Sequence, residues 1–172
     1  MALLSLLLYI SCIKPHRSNN EITKIELARS GAWSDNGAAI GIDSILNYRY
    51  YNRNVKHGYF AGKISEAFWD TLNQKFEKIK FKTLNSDTLM NVSDASYFEL
   101  IIHWKNGTRR VVKIASGNSL IDSTFMWLNH SYSNIKLQPI KTPLKFETIF
   151  QRNIEYPSID SVKFPPPKIK NY

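Results

Sequence analysis

Tyr97-Phe98-Glu99-Leu100-Ile101-Ile102-His103-Trp104-Lys105-Asn106-Gly107-Thr108-Arg109-Arg110-Val111-Val112-Lys113-Ile114 is the stretch on which the fold turns. From Tyr97 to Trp104 the side chains alternate, with Phe98, Leu100, Ile102 and Trp104 on one side. Successive residues of a strand point to opposite faces, so this spacing predicts a strand with one buried face. Asn106-Gly107 is the pair preferred in a type I′ turn, and Arg109–Ile114 returns as the second strand of a hairpin.

Each side of the hairpin carries an amphipathic helix. Upstream, Ser65 is a suitable N-cap for a helix over Glu66–Ile79, and Phe68, Leu72, Phe76 and Ile79 fall on one face of it. Downstream, Ser119-Leu120-Ile121-Asp122 has capping-box-like spacing, and Ile121, Phe125, Leu128, Tyr132 and Ile135 again share a face. Ile22–Arg29 alternates as a strand with Ile25 and Leu27 inward, and Ala39–Asn52 reads as one long strand or as two broken at Asp43-Ser44. Leu144–Phe150 is expected to add an edge strand. The fold class is therefore α+β: an antiparallel sheet of about four to five strands with two amphipathic helices packed on one face.

The amino terminus has a different character. Residues 2–11 are apolar and uncharged, too short a run for a spanning helix, which needs about 20 apolar residues. They suit the apolar region of a secretion signal. Leu8-Tyr9-Ile10-Ser11-Cys12 resembles a loose lipobox, with small Ser11 before the cut and Cys12 where the acylated cysteine of a lipoprotein stands. The alternative is a buried N-terminal element with an inert cysteine. Lys14-Pro15-His16-Arg17-Ser18-Asn19-Asn20 argues against it, because this composition makes a tether. The chain thus divides into a signal (1–11), a lipidated tether (12–20), an α+β domain (21–150) and a Pro-rich basic tail (151–172). The tether lacks an acidic run that would resemble a surface-export signal, so the expected location is the outer membrane, facing the periplasm.

Composition narrows the chemistry. The 172 residues make one ordinary domain, with 43% hydrophobic residues to build a core. Cys12 is the only cysteine, so the chain forms no internal disulfide and no cysteine-based metal site. His16, His57, His103 and His130 show no ligand spacing, and the sequence has no Gly-x-Ser-x-Gly and no phosphate-binding Gly-rich loop. No catalytic residue, cofactor or metal is assigned. The net charge of +9 is scattered. One stretch, Tyr48-Arg49-Tyr50-Tyr51-Asn52-Arg53, alternates rings and guanidiniums as a single-strand-binding sheet does, but it also reads as an ordinary strand with its arginines in water. Export would separate the protein from nucleic acid, so none is expected as a partner.

Arg29-Ser30-Gly31, His57-Gly58-Tyr59-Phe60-Ala61-Gly62-Lys63-Ile64, the Phe-x-x-x-Leu helix, the Asn-Gly hairpin and the second helix together resemble the domain of unknown function 6438, found in Bacteroidetes lipoproteins. The resemblance covers roughly residues 22–135. It implies fold and location and brings no activity. The family's two cysteines and its Cys-Pro-x-Tyr run have no counterpart in residues 32–39, so no redox or metal role carries over.

The resulting expectation is a lipid-anchored periplasmic binding or assembly module. Its partner is an envelope protein or an anionic surface, and its interaction surface is Arg49, Arg53, Arg109 and Arg110, projecting from the sheet face that the helices leave bare or from an edge of the sheet. Reversing charge at Arg49 and Arg110 should leave such a fold almost untouched. The alternatives are an envelope enzyme of unrecognised type and, should residues 1–12 not be a signal, a nucleic-acid-binding domain.

Overall fold

The computed structural model of the chain describes residues 21–31, 37–55, 58–87, 96–115 and 119–148. The signal, Cys12, the whole of the tether and the basic tail lie outside them.

The described residues form an α+β fold around one antiparallel sheet of seven strands. In chain order these are β1 (Ile22–Gly31), β2 (Ala38–Asp43), β3 (Asn47–Asn52), β4 (Tyr59–Lys63), β5 (Ser96–Trp104), β6 (Gly107–Ile114) and β7 (Gln138–Pro139). Helix α1 (Glu66–Lys78) follows β4, and α2 (Leu120–Asn129) follows β6. In the spatial order β6-β5-β1-β2-β3-β4-β7 the middle strand is β2, and the junction of the sheet is β1. A four-strand meander grows from it on one side, and the hairpin is added on the other.

The sheet is larger than the alternation predicts, for two reasons. Tyr59-Phe60-Ala61-Gly62-Lys63 has no apolar alternation and is a strand through its pairing with β3. Strand β7 is a two-residue pairing of Gln138 and Pro139 with β4. The edge strand expected at Leu144–Phe150 is not one in its described residues, 144–148. These instead cross the opposite face of the sheet, as set out below.

The hairpin turn also differs from its expected form. The register pairs Trp104 with Gly107, so the two turn residues are Lys105 and Asn106. Neither has a positive φ, which a type I′ turn requires at both central positions. Gly107 is needed for space: a Cβ there would lie 2.5 Å from Cζ2 of Trp104, whose ring folds over it.

Both helices cover one face, here the front. Ile25 and Leu27 of β1, Ile40 and Ile42 of β2, Tyr48 of β3, and Phe98, Leu100 and Ile102 of β5 pack there with Leu72, Phe76, Phe125 and Leu128. Phe125 meets Phe98 edge-on and stacks on Phe76, tying the sheet to both helices. Ser65 and Ser119 cap the helices as expected, accepting from the N–H groups of Phe68 and Asp122. Phe68 is only half-buried, and the fully enclosed ring is Trp69, whose Nε1 donates to Glu21 Oε1 at 3.0 Å. Tyr132, expected in the core, lies after the helix and is 37% exposed, stacked on Tyr50.

Candidate functional site

The alternate residues of the same strands form the back face, and across its middle they make one row. Arg110 is paired with Ile101, Ile101 with Glu26, Glu26 with Gly41, Gly41 with Arg49, and Arg49 with Ala61. Gly41 leaves the gap through which Arg49 reaches Glu26. A Cβ on Gly41 would stand 3.0 Å from Arg49 Nη2, which is itself 3.2 Å from Glu26 Oε1. Lys24 Nζ lies 2.9 Å from the same oxygen. Glu99, buried on β5, is paired with Arg110 at 3.2 Å. Glu26 and Glu99 are 0% and 1% exposed, although each occupies a position that alternation assigns to the polar side. Burial of a carboxylate is tolerated where cations and N–H groups surround it.

The segment 144–148 supplies the cover. It runs as an extended strap from β3 toward β6. Lys145 O faces Arg49 Nη1, Phe146 packs on Ala28 and Ala39, and the Glu147 N–H donates to Glu26 Oε2. The carbonyl of Glu147 accepts from Arg110 Nη2 at 3.1 Å. Its carboxylate receives Lys24 Nζ through Oε1 and contacts His103 Nε2 through Oε2 at 3.1 Å. The Arg49 guanidinium lies over the Phe146 ring, 5.6 Å from its centre.

These contacts set the ionisation of the cluster. The hydrogen bond from Lys24 lowers the Glu147 pKa below its ordinary value against a smaller opposing effect of burial, with the charges of Lys24 and His103 acting in the same direction. Burial disfavours charge on Lys24, but its bonds to Glu147 and Glu26 outweigh this and raise its pKa. Beside the strap, a groove of about 530 Å³ opens between Lys24, Asp43, Asn47, Arg49, Ala61, Gly62 and Leu144.

The four arginines singled out in the sequence do not share this face. Arg49 and Arg110 are on it, both tied to buried carboxylates. Arg109 is next to Arg110 on β6 and so points the other way. Its Nε donates to Leu84 O at 2.8 Å and its Nη2 to Asn85 Oδ1, pinning the connection after α1 to the sheet edge. Arg53 sits in the turn after β3, its main-chain N–H bonded to Gly37 O. Nor is the back face bare, since the strap roofs its centre. Reversing Arg49 and Arg110 would set carboxylates against Glu26 and Glu99 and destabilise the fold, contrary to the sequence-based expectation.

His103 adds a second arrangement. The hydroxyl of Thr108 is 2.9 Å from its Nδ1, so Thr108, His103 and Glu147 form a hydroxyl–imidazole–carboxylate chain. Such a chain has the connectivity of a nucleophile, base and orienting acid. Thr108 does not line the groove, however, and Glu147 is shared with Lys24. Among the described residues no three metal-ligating side chains cluster, and no helix is long and apolar enough to cross a membrane. Sequence reasoning missed Lys24, Glu26, Glu99 and Glu147 because a polar residue on an alternating strand looks solvated until a distant segment covers it. Compared with family models, curated proteins and solved structures, the chain matches none.

Proposed function

We propose that the chain is a lipid-anchored binding module of the bacterial envelope, tethered through Cys12 on the periplasmic side of the outer membrane, with the strapped back face as its interaction surface. The observation that carries the binding role is how the face uses its charges. Arg49, Arg110 and Glu26 are turned onto main-chain atoms of another stretch of polypeptide, at Lys145 and Glu147. A surface so equipped holds peptide. The anchoring part rests on the apolar run 2–11, on Ser11-Cys12 and on the resemblance of residues 22–135 to a lipoprotein domain.

The anchor is tested by feeding cells a clickable fatty acid. Wild-type protein should be labelled and sediment with membranes, and Cys12→Ala should be unlabelled and released. Equal labelling and retention of the variant would overturn the anchor.

The Thr108–His103–Glu147 chain favours the second reading, an envelope enzyme of the acyl-transfer type. An acyl-phosphonate probe separates the two. On the binding reading it leaves the protein unmodified. Labelling lost in Thr108→Val would establish the enzyme instead.

A further inference from the structure

The strap and its seat have the parts of a peptide-recognition site. Three contacts are to main-chain atoms and would accept any extended residue there: Arg49 to Lys145 O, Arg110 to Glu147 O, and Glu26 to Glu147 N. Two contacts select side chains. Phe146 fills a slot between Ala28 and Ala39, bordered by Tyr51 and Leu144 and closed by the Arg49 guanidinium. Glu147 lies between Lys24 and His103, one cation and one imidazole, where a carboxylate is the matching charge.

The strap also has the character of a removable occupant. Among the described residues strand pairing ends at Pro139, so side chains of the sheet hold residues 144–148 in place of a backbone ladder. The residues leading into the strap are exposed at Lys141, Thr142 and Pro143. At its end Thr148 is fully buried, yet its hydroxyl has no hydrogen-bond partner among the described residues. Segments with few buried apolar contacts open locally without global unfolding. The groove beside Leu144 and Arg49 lies on the same face, next to the seat.

We infer that the back face is a receptor for an extended peptide carrying an aromatic residue followed by a carboxylate, and that the chain's own Phe146-Glu147 occupies it in cis until a partner segment of that chemistry displaces it. The inference rests on the binding-module reading and names the class of partner. A strap that competes for its own seat lowers the apparent affinity for the partner by the fraction of time the seat is open.

The test uses the full acylated chain in detergent and a fluorescent peptide of residues 142–150, Thr-Pro-Leu-Lys-Phe-Glu-Thr-Ile-Phe. Weakening the strap with Phe146→Ala and Glu147→Gln should tighten binding at least about tenfold over wild type, as the open fraction rises. Replacing Phe or Glu in the peptide should cost about tenfold or more, and so should His103→Ala in the receptor. Circular dichroism and melting show whether each variant is folded, and Glu147→Gln alone replaces the double variant if that one is not. A folded, strap-weakened protein that ignores the peptide, or binds a scrambled one equally, overturns the inference. So does a strap-exchanged dimer that forms without peptide binding, which would make a second copy the occupant. If labelling at Cys12 succeeds and the peptide fails, the inference alone falls. If the peptide binds and labelling fails, the anchor falls and the seat stands.

Discussion

The two faces of the sheet are built from the same strands, residue by alternate residue, and they are buried by different means. On the front, Ile25, Leu27, Leu100 and Ile102 meet apolar stripes of two helices, so hydrophobic burial holds them and the partners are interchangeable in kind. On the back, Glu26 and Glu99 are as deeply enclosed, but they are held by matched charges, and Glu26 also by the main chain of the strap. The front tolerates any packing of the right volume. The back requires particular atoms at particular places, which makes it the better surface for recognition and the poorer source of stability.

The comparison can be broken most forcefully on the front. Phe76→Ala should cost about 3–5 kcal/mol and Leu128→Ala about 2–5 kcal/mol in a urea melt, because each empties a fully buried site between helix and sheet. A loss near zero would mean that the helices do not form the core.

On the back, Glu26→Gln should cost less, about 1.5–3 kcal/mol, since it removes a charge-assisted partner from Arg49, Lys24 and the Glu147 N–H while keeping the volume. Proteolysis or hydrogen exchange should show the strap at 144–148 loosening before the core does. If strap and core loosen together, the two faces form one cooperative unit.

The third prediction concerns pH. The folded-state pKa of Glu147 is lowered, so the stability it lends the strap is present above the ordinary glutamate value and is lost as pH falls through that value toward the depressed one. The pKa of Lys24 is raised, so its contribution is present below the ordinary lysine value and is lost as pH rises through the raised one. Protection of the amides in 144–148 relative to their intrinsic exchange rates should therefore be greatest across the broad window between the two and should fall at acid pH. Glu147→Gln should remove the acid limb. A wild-type acid limb that persists in this variant would assign the effect to another group.

The smallest effect is expected at the β2–β3 turn. Ile45 is 71% exposed, and the turn is held by Asp43, whose carboxylate accepts from Ile45 N, Asn47 N and Asn47 Nδ2. Ile45→Ser should shift stability by within about 0.5 kcal/mol, as surface changes do. Asp43→Ala, which releases a turn that keeps Leu46 at a φ of 66°, should lower the melting temperature by several times more.

Local spacing made the front face legible. The helical stripe through Leu72 and Phe76 and the strand alternation through Phe98, Leu100 and Ile102 are each complete within a dozen residues. Trp69, three and seven residues before Leu72 and Phe76, fits the helical stripe as well as Phe68 does, and the fold decides which of the two rings is enclosed. The candidate site was legible only as a pair of arginines. Arg49 and Arg110 are in it, while Arg109 is excluded by strand alternation and Arg53 by its place in a turn.

The class of fold, the two capped helices, the hairpin and the apolar face each follow from periodicities that a short segment carries whatever its surroundings. That Glu26 is an interior residue, that Gly41 is the space for a guanidinium, and that residues 144–148 are a strap and not an edge strand depends on how distant segments meet in the fold. Glu26 and Glu147 meet across 121 residues of chain. Charge complementarity at that separation leaves no periodic trace. It comes into being only when a hydrophobic face that can be read locally has folded and has brought the polar side of the same strands within reach of one passing segment.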